Sequence, residues 1–126
     1  CTLSIVPLRG DAVRVAFNRD ESPARAPGLP PRVVPFGDRT AVLPLDPASG
    51  GTWLAVNDAG LVLALLNAHP ISGPAVVRPA RSRGEVIPAL LHCACPATAL
   101  AALDQSLDYG DFAPFRLILL GCGVLA

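Results

Sequence analysis

Two short segments near the start of the chain, Thr2–Val6 and Val13–Asn18, alternate in polarity and are rich in branched residues, and Leu8-Arg9-Gly10-Asp11 separates them. This pattern constrains the fold more than any other feature. Alternation with a period of two marks strands, and turn residues between two such runs predict an antiparallel hairpin. With Arg9-Gly10 as a two-residue loop, Cys1 lies opposite Asn18, and a bulge would move the pairing by one residue. On either register Asn18-Arg19-Asp20-Glu21 arrives beside the N-terminus.

The chain contains no methionine, which is the expectation if the initiator has been removed to leave Cys1 first. A first-position cysteine carries a thiol and a free α-amine on one residue. Ordinary pKa values of about 8.5 for a thiol and about 7.7–8.0 for an α-amine bring a nucleophile and a general base together near neutral pH. Asp20 is suited to hold the amine, and an adjacent arginine would favour the thiolate. The plainer alternatives are that cysteine merely followed methionine, and that the Asn18–Glu21 run is a polar strand end with Glu21 paired to Arg25 on the surface.

At 126 residues the chain is long enough for a single domain, 1–126. A hydrophobic content of 52% predicts a folded core, and the zero net charge gives no electrostatic support for a nucleic-acid or membrane-surface role. No apolar run reaches the length of a membrane span, and the N-terminus lacks the pattern of a secretory signal. The cysteines Cys1, Cys93, Cys95 and Cys122 are not spaced as a disulfide scaffold, so reduced thiols and a cytoplasmic location are expected.

Farther along, Ser22–Pro47 reads as a proline-rich loop with a short strand near Arg32–Pro35. Thr52–Val56 and Leu61–Leu66 form a second hairpin around Asn57-Asp58-Ala59-Gly60, a type I turn followed by a left-handed glycine. This register puts Asn67 opposite Gly50, where Gly50-Gly51 would let substrate backbone approach closely. Leu61–Leu66 is apolar on both faces, as in a strand buried between layers. Trp53 is core or a pocket wall.

Ala68–Ala80 is a second proline-rich loop. Ser82-Arg83-Gly84-Glu85 matches a capping box and predicts a helix to about Ala94, kinked or delayed by Pro88. Pro96 opens a helix over Ala97–Leu107. Asp108–Asp111 is a turn, and Pro114–Leu120 is a strand. His92-Cys93-x-Cys95 invites a metal reading, but only Cys122 and His69 remain as further ligands, so small residues at a helix end are the simpler account. Arg81 and Arg83 are candidate anion ligands or packing residues. Cys95-Pro96 resembles the dipeptide of some regulatory haem sites.

Cys1-Thr2-Leu3, Asn18-Arg19-Asp20-Glu21, Gly50-Gly51-Thr52-Trp53-Leu54-Ala55-Val56-Asn57 and Arg81-Ser82-Arg83-Gly84, in this order, resemble the NRDE family, also called the transport and Golgi organisation protein two family. The resemblance implies an α+β, N-terminal-nucleophile hydrolase-like αββα sandwich of antiparallel sheets, here in a shortened or half version. Penicillin V acylases and bile-salt hydrolases are more distantly similar. They too begin Cys-Thr, carry Arg-Asn-x-Asp where Phe17-Asn18-Arg19-Asp20 stands, and have an Asn-x-x-Gly-Leu turn followed by Leu-Asn, as Asn57–Leu61 and Leu66-Asn67 do here.

Carried over by position, Cys1 is the nucleophile, Asp20 holds the α-amine and Asn67 donates to an oxyanion, with Asn18 and Arg19 completing the site. Asn67 is equally well read as a strand-end turn residue. The acylases' arginine position is Phe17, so Arg19 has to substitute from the same strand face. The acylases' later asparagine and arginine have no counterpart before Ala126.

The implied activity is hydrolysis of a C–N amide bond in a small acylated substrate without a cofactor. The alternative implied by the family is a non-catalytic carrier of haem in the same cleft. A terminal strand leaves an open sheet edge, which predicts a homodimer or a second chain as partner.

Overall fold

The computed structural model describes residues 1–10, 12–68, 79–122 and 124–125. The strands are β1 (Thr2–Pro7), β2 (Val13–Asn18), β3 (Leu29–Phe36), β4 (Arg39–Leu45), β5 (Leu54–Asn57), β6 (Val62–Asn67), β7 (Phe115–Gly121) and β8 (Val124–Leu125), and the helices are α1 (Val86–Leu90) and α2 (Pro96–Ser106). They make an α+β fold with two antiparallel sheets, a two-stranded β1-β2 and a six-stranded β3-β4-β5-β6-β7-β8.

Strand alternation divides the larger sheet into two faces. Ala41, Leu43, Ala55, Leu63, Leu65 and Leu119 point to one side and pack with Val86, Ile87, Leu90 and Leu91 of the α1 region and with Ala99 and Leu103 of α2. Full burial of a leucine or isoleucine stabilises by about 1.5–3 kcal/mol, so this face carries most of the hydrophobic driving force. The β1-β2 hairpin covers part of the opposite face. There Val13 and Val15 share an apolar cavity with Val42, Leu54, Val56 and Val62. Among the described residues, helices occupy one side of the large sheet only.

Both expected hairpins form, and each is one residue out of register. In β1-β2, Thr2 rather than Cys1 pairs with Asn18. The Leu8 N–H donates to the Ala12 carbonyl at 2.9 Å, which leaves an odd number of residues in the loop instead of Arg9-Gly10 alone. In β5-β6 the pairs run Leu54↔Ala64 to Val56↔Val62. Asn57 is the last residue of its strand, not the first of the turn, because its N–H donates to the Leu61 carbonyl at 3.0 Å. The expected left-handed glycine is Gly60, with φ +80°. Continued beyond the ladder, this register puts Asn67 level with Gly51, not Gly50.

The Ser22–Pro47 region is not a loop with one short strand. It forms the β3-β4 hairpin, in which Phe36 pairs with Arg39 around Gly37-Asp38 and Gly37 has φ +62°. Pro30, Pro31 and Pro35 are accommodated because β3 is the outer strand of the sheet, where missing N–H donors break no central ladder.

The Ser82 capping box is present: the Ser82 side chain accepts from the Gly84 N–H, and Glu85 accepts from the Ser82 N–H. A 3-10 turn over Arg83–Glu85 precedes α1. Pro88 therefore falls in the first helical turn, where an N–H has no intrahelical partner anyway. The helix ends at Leu90, short of Ala94. The Cys93 N–H turns back to the Leu90 carbonyl, and the buried Asn57 amide donates to the carbonyls of Leu91 at 3.0 Å and Cys93 at 2.7 Å. The expected Ala68–Ala80 loop and His69 lie largely outside the described residues. No helix among the described residues is long and apolar enough to cross a membrane.

Candidate active site

The one-residue shift of the first hairpin carries Cys1 past Asn18 to Asp20. The α-amine of Cys1 lies 2.7 Å from Asp20 Oδ2. The other carboxylate oxygen, Oδ1, accepts a 2.6 Å hydrogen bond from the Asn18 side-chain amide. Asn18 thus fixes the aspartate rather than entering the cleft. The Cys1 side chain is 11% exposed while that of Asp20 is 61% exposed, so the thiol is turned inward and its amine clamp faces solvent. The Cys1 thiol contacts the Asp20 carbonyl oxygen at 3.9 Å.

Cys1 forms one wall of a cleft of about 130 Å³, which is also lined by Arg19, Arg25, Asp46, Trp53, Asn67 and Arg83. Strands place most of them. Arg19 follows β2, Asp46 follows β4, Trp53 precedes β5, and Asn67 ends β6 opposite Phe115 of β7. The Asn67 side chain has no hydrogen-bond partner among the described residues. Of the residues expected at the site, Cys1, Arg19 and Asn67 share the cleft, Asp20 holds the amine, and Asn18 holds Asp20.

Arg19 is committed elsewhere than the thiol. Its guanidinium donates to Glu21 at 3.2 Å and to Asp46 at 3.1 Å and lies over the Trp53 ring, 4.4 Å from the centroid. Trp53 is therefore a pocket wall that seats a cation on its π face. Arg25 joins the same cluster, pairing with Asp46 and standing 3.7 Å from Glu21.

Asp46 and Arg25 are functional-site candidates that sequence reasoning did not pick out. The available signal was Asp46-Pro47-Ala48, an Asx-turn pattern: Asp46 Oδ1 accepts from the Ala48 N–H at 2.9 Å. Burial opposes charge on Asp46, but the Ala48 N–H and the guanidinium groups of Arg25 and Arg19 together hold its carboxyl below the ordinary carboxylate range.

Of the glycine pair, Gly50 is left with open space and Gly51 has a packing role. Gly51 is buried against the chain's own backbone: a Cβ there would stand 2.6 Å from the Gly84 Cα. The close approach shown there is to the Arg83–Glu85 turn, and Gly51 and Gly84 both line the cleft. Arg83 donates to the Pro114 carbonyl at 2.9 Å. Burial lowers the pKa of its guanidinium, and the charge of Glu21 works in the opposite direction.

Away from the cleft, the His92 ring and the Cys93 thiol are 3.5 Å apart, while Cys95 pairs with Thr98. Burial pushes the Cys93 thiol pKa up, and the Thr98 hydroxyl pulls that of Cys95 down.

The fold and this geometry define an α+β protein whose two antiparallel sheets meet at a charged cleft, with an aspartate-clamped cysteine in its wall. Residues 13–123 match the family Transport and Golgi organisation 2, and the chain belongs to that family. The matched stretch includes Asn18–Glu21, Asp46, Trp53, Asn67 and Arg83 and begins after Cys1. No curated protein and no solved structure matches the chain.

Proposed function

We propose that the protein is an N-terminal-cysteine amidohydrolase that cleaves a C–N amide bond in a small acylated substrate, within an N-terminal-nucleophile hydrolase-like framework. The observation that carries this reading is the Cys1 clamp, an inward-facing thiol whose own α-amine is held 2.7 Å from Asp20.

In this mechanism the unprotonated amine takes the Sγ proton, directly or through one water, and the thiolate attacks the carbonyl carbon. The resulting oxyanion accepts a hydrogen bond from the side-chain amide of Asn67, a residue that lines the same cleft. The C–N bond breaks as the Cys1 ammonium returns the proton to the leaving amine, and an acyl thioester remains on Sγ. Water then attacks the thioester, again losing a proton to the α-amine. The products are a carboxylic acid and restored Cys1. Asp20 orients the amine, Asn18 holds Asp20, and Arg19 braces Trp53 and the carboxylate pair. Two carboxylates and three arginines around the cleft favour a polar, charged substrate.

The test is peptide-mapped alkylation of folded protein against pH with a limiting thiol reagent, on material whose N-terminal residue has been verified by intact mass. Preferential modification of Cys1 below pH about 7, well under the ordinary thiol range, and its loss in Asp20→Ala support the reading when amides also turn over. Labelling of Cys1 no faster than Cys122 overturns it. A saturable Soret shift on haem titration with no amide turnover would favour the carrier instead.

A further inference from the structure

Among the described residues, the charges around the cleft are matched, with one exception. The Cys1 amine meets Asp20, while Arg19 and Arg25 share Glu21 and Asp46. Arg83 lines the same cleft and has no carboxylate within ion-pair distance among the described residues. Its hydrogen bond to the Pro114 carbonyl uses one Nη. Glu21, whose charge reaches it, is already drawn to Arg19 and Arg25. A partly desolvated cation without a counter-ion is costly, and an incoming anion relieves that cost.

The guanidinium is also well positioned. Arg83 opens a 3-10 turn fixed by the Ser82–Glu85 capping box. That turn is tied to the entry of β5 by the Thr52 N–H, which donates to the Gly84 carbonyl at 3.1 Å. A planar fork with unused donors on a rigid turn suits bidentate recognition of a carboxylate. Arg83 and Cys1 line one cleft of about 130 Å³.

We propose that Arg83 anchors a substrate carboxylate, so that the amide presented to Cys1 belongs to a molecule carrying a free acid. This rests on the amidohydrolase reading and narrows its substrate class. The acid can sit on the amine side of the scissile bond, as in an N-acyl amino acid, or on the acyl side, as in the half-amide of a dicarboxylic acid.

Calorimetric titration of the full chain with four probes tests this. N-acetylglycine and succinamic acid carry the acid on opposite sides, and N-acetylglycinamide and succinamide are their neutral counterparts. At least one acid probe is expected to bind about tenfold to a hundredfold more tightly than its neutral counterpart, the range for a hydrogen-bonded charged group. Arg83→Gln should erase that preference and Arg83→Lys should keep part of it. Equal binding of acid and neutral probes, or a preference that survives Arg83→Gln, overturns the proposal. If Arg83→Gln fails to fold, the wild-type comparison decides alone. Hydrolysis measured on the same probes separates the two readings. Acid preference without turnover keeps the anchor and removes the hydrolase, whereas equal kcat/KM for acid and neutral probes keeps the hydrolase and removes the anchor.

Discussion

Gly51 and Gly84 meet backbone against backbone: a methyl group on Gly51 would stand 2.6 Å from the Gly84 Cα, carbon and oxygen. No flexible side chain is available to give way. Gly51→Ala is therefore expected to cost about 1–3 kcal/mol through overpacking, seen as a lower urea midpoint. Gly84→Ala should be milder, because its methyl would meet the Gly51 Cα at 3.0 Å. Wild-type stability in Gly51→Ala would show that the two backbones are not in contact in solution.

Asp20 separates activity from stability. Its pair with the Cys1 amine is short, but its side chain is 61% exposed, and exposed ion pairs contribute little to folding. Asp20→Asn should leave the thermal midpoint almost unchanged and, under the proposed mechanism, lower amide turnover by at least about tenfold, because the amine that transfers the proton loses the group that orients it. A large stability loss with intact turnover would reverse its assigned role.

Asp46 sets an acid limit. Its folded pKa lies below the ordinary carboxylate value, so its stabilisation is complete above the unfolded pKa of about 3.9 and drains away as pH falls through the folded value. Urea midpoints of the wild type should fall below pH about 4. Asp46→Asn, which leaves Glu21 as the remaining carboxylate for both Arg19 and Arg25, should be weaker by about 2 kcal/mol at neutral pH and lose less on acidification. Parallel acid limbs for the two proteins would contradict this.

Asn57 ties the end of β5 to the end of α1. Its buried amide donates to the Leu91 and Cys93 carbonyls, and its oxygen accepts from the Ala59 and Leu61 N–H groups. Asn57→Leu leaves these groups unsatisfied and should cost about 2–4 kcal/mol. Hydrogen exchange is expected to accelerate at Ala59, Leu61 and Cys93 before the rest of the fold loosens.

The paired thiols near α2 should react unequally. Cys93 is buried with a raised pKa, and Cys95 is held low by Thr98. In folded protein Cys95 should alkylate first, and Thr98→Val should slow it. Equal rates would mean that the Thr98 contact does not persist.

The parts of the fold that could be read in advance are those fixed by neighbours in sequence. The two alternating hairpins, the Gly60 turn and the Ser82 capping box each depend on a handful of adjacent residues. Their registers missed by one because composition does not determine whether a loop holds an odd or even number of residues. The β3-β4 hairpin was hidden because Pro30, Pro31 and Pro35 argue against a strand unless the edge position of β3 is known. At the site, Cys1, Arg19, Asp20 and Asn67 converge because two hairpins bring them there. For Asp46 the local signal was an Asx-turn and for Arg25 a pairing with Glu21, and neither showed that the two meet: that depends on how the end of β4 lies beside the end of β2, a relation between segments far apart in the chain.

Among the described residues, no hydrogen-bonded ladder crosses from the two-stranded sheet to the six-stranded one. Cys1 leads into the first, and Asn67 and Trp53 border the second. The cleft is consequently a seam between two plates, joined near its mouth by the Arg19–Asp46 clasp. A ligand gripping both Cys1 and Arg83 would act as a rivet through that seam, so occupancy and alignment of the plates would rise and fall together.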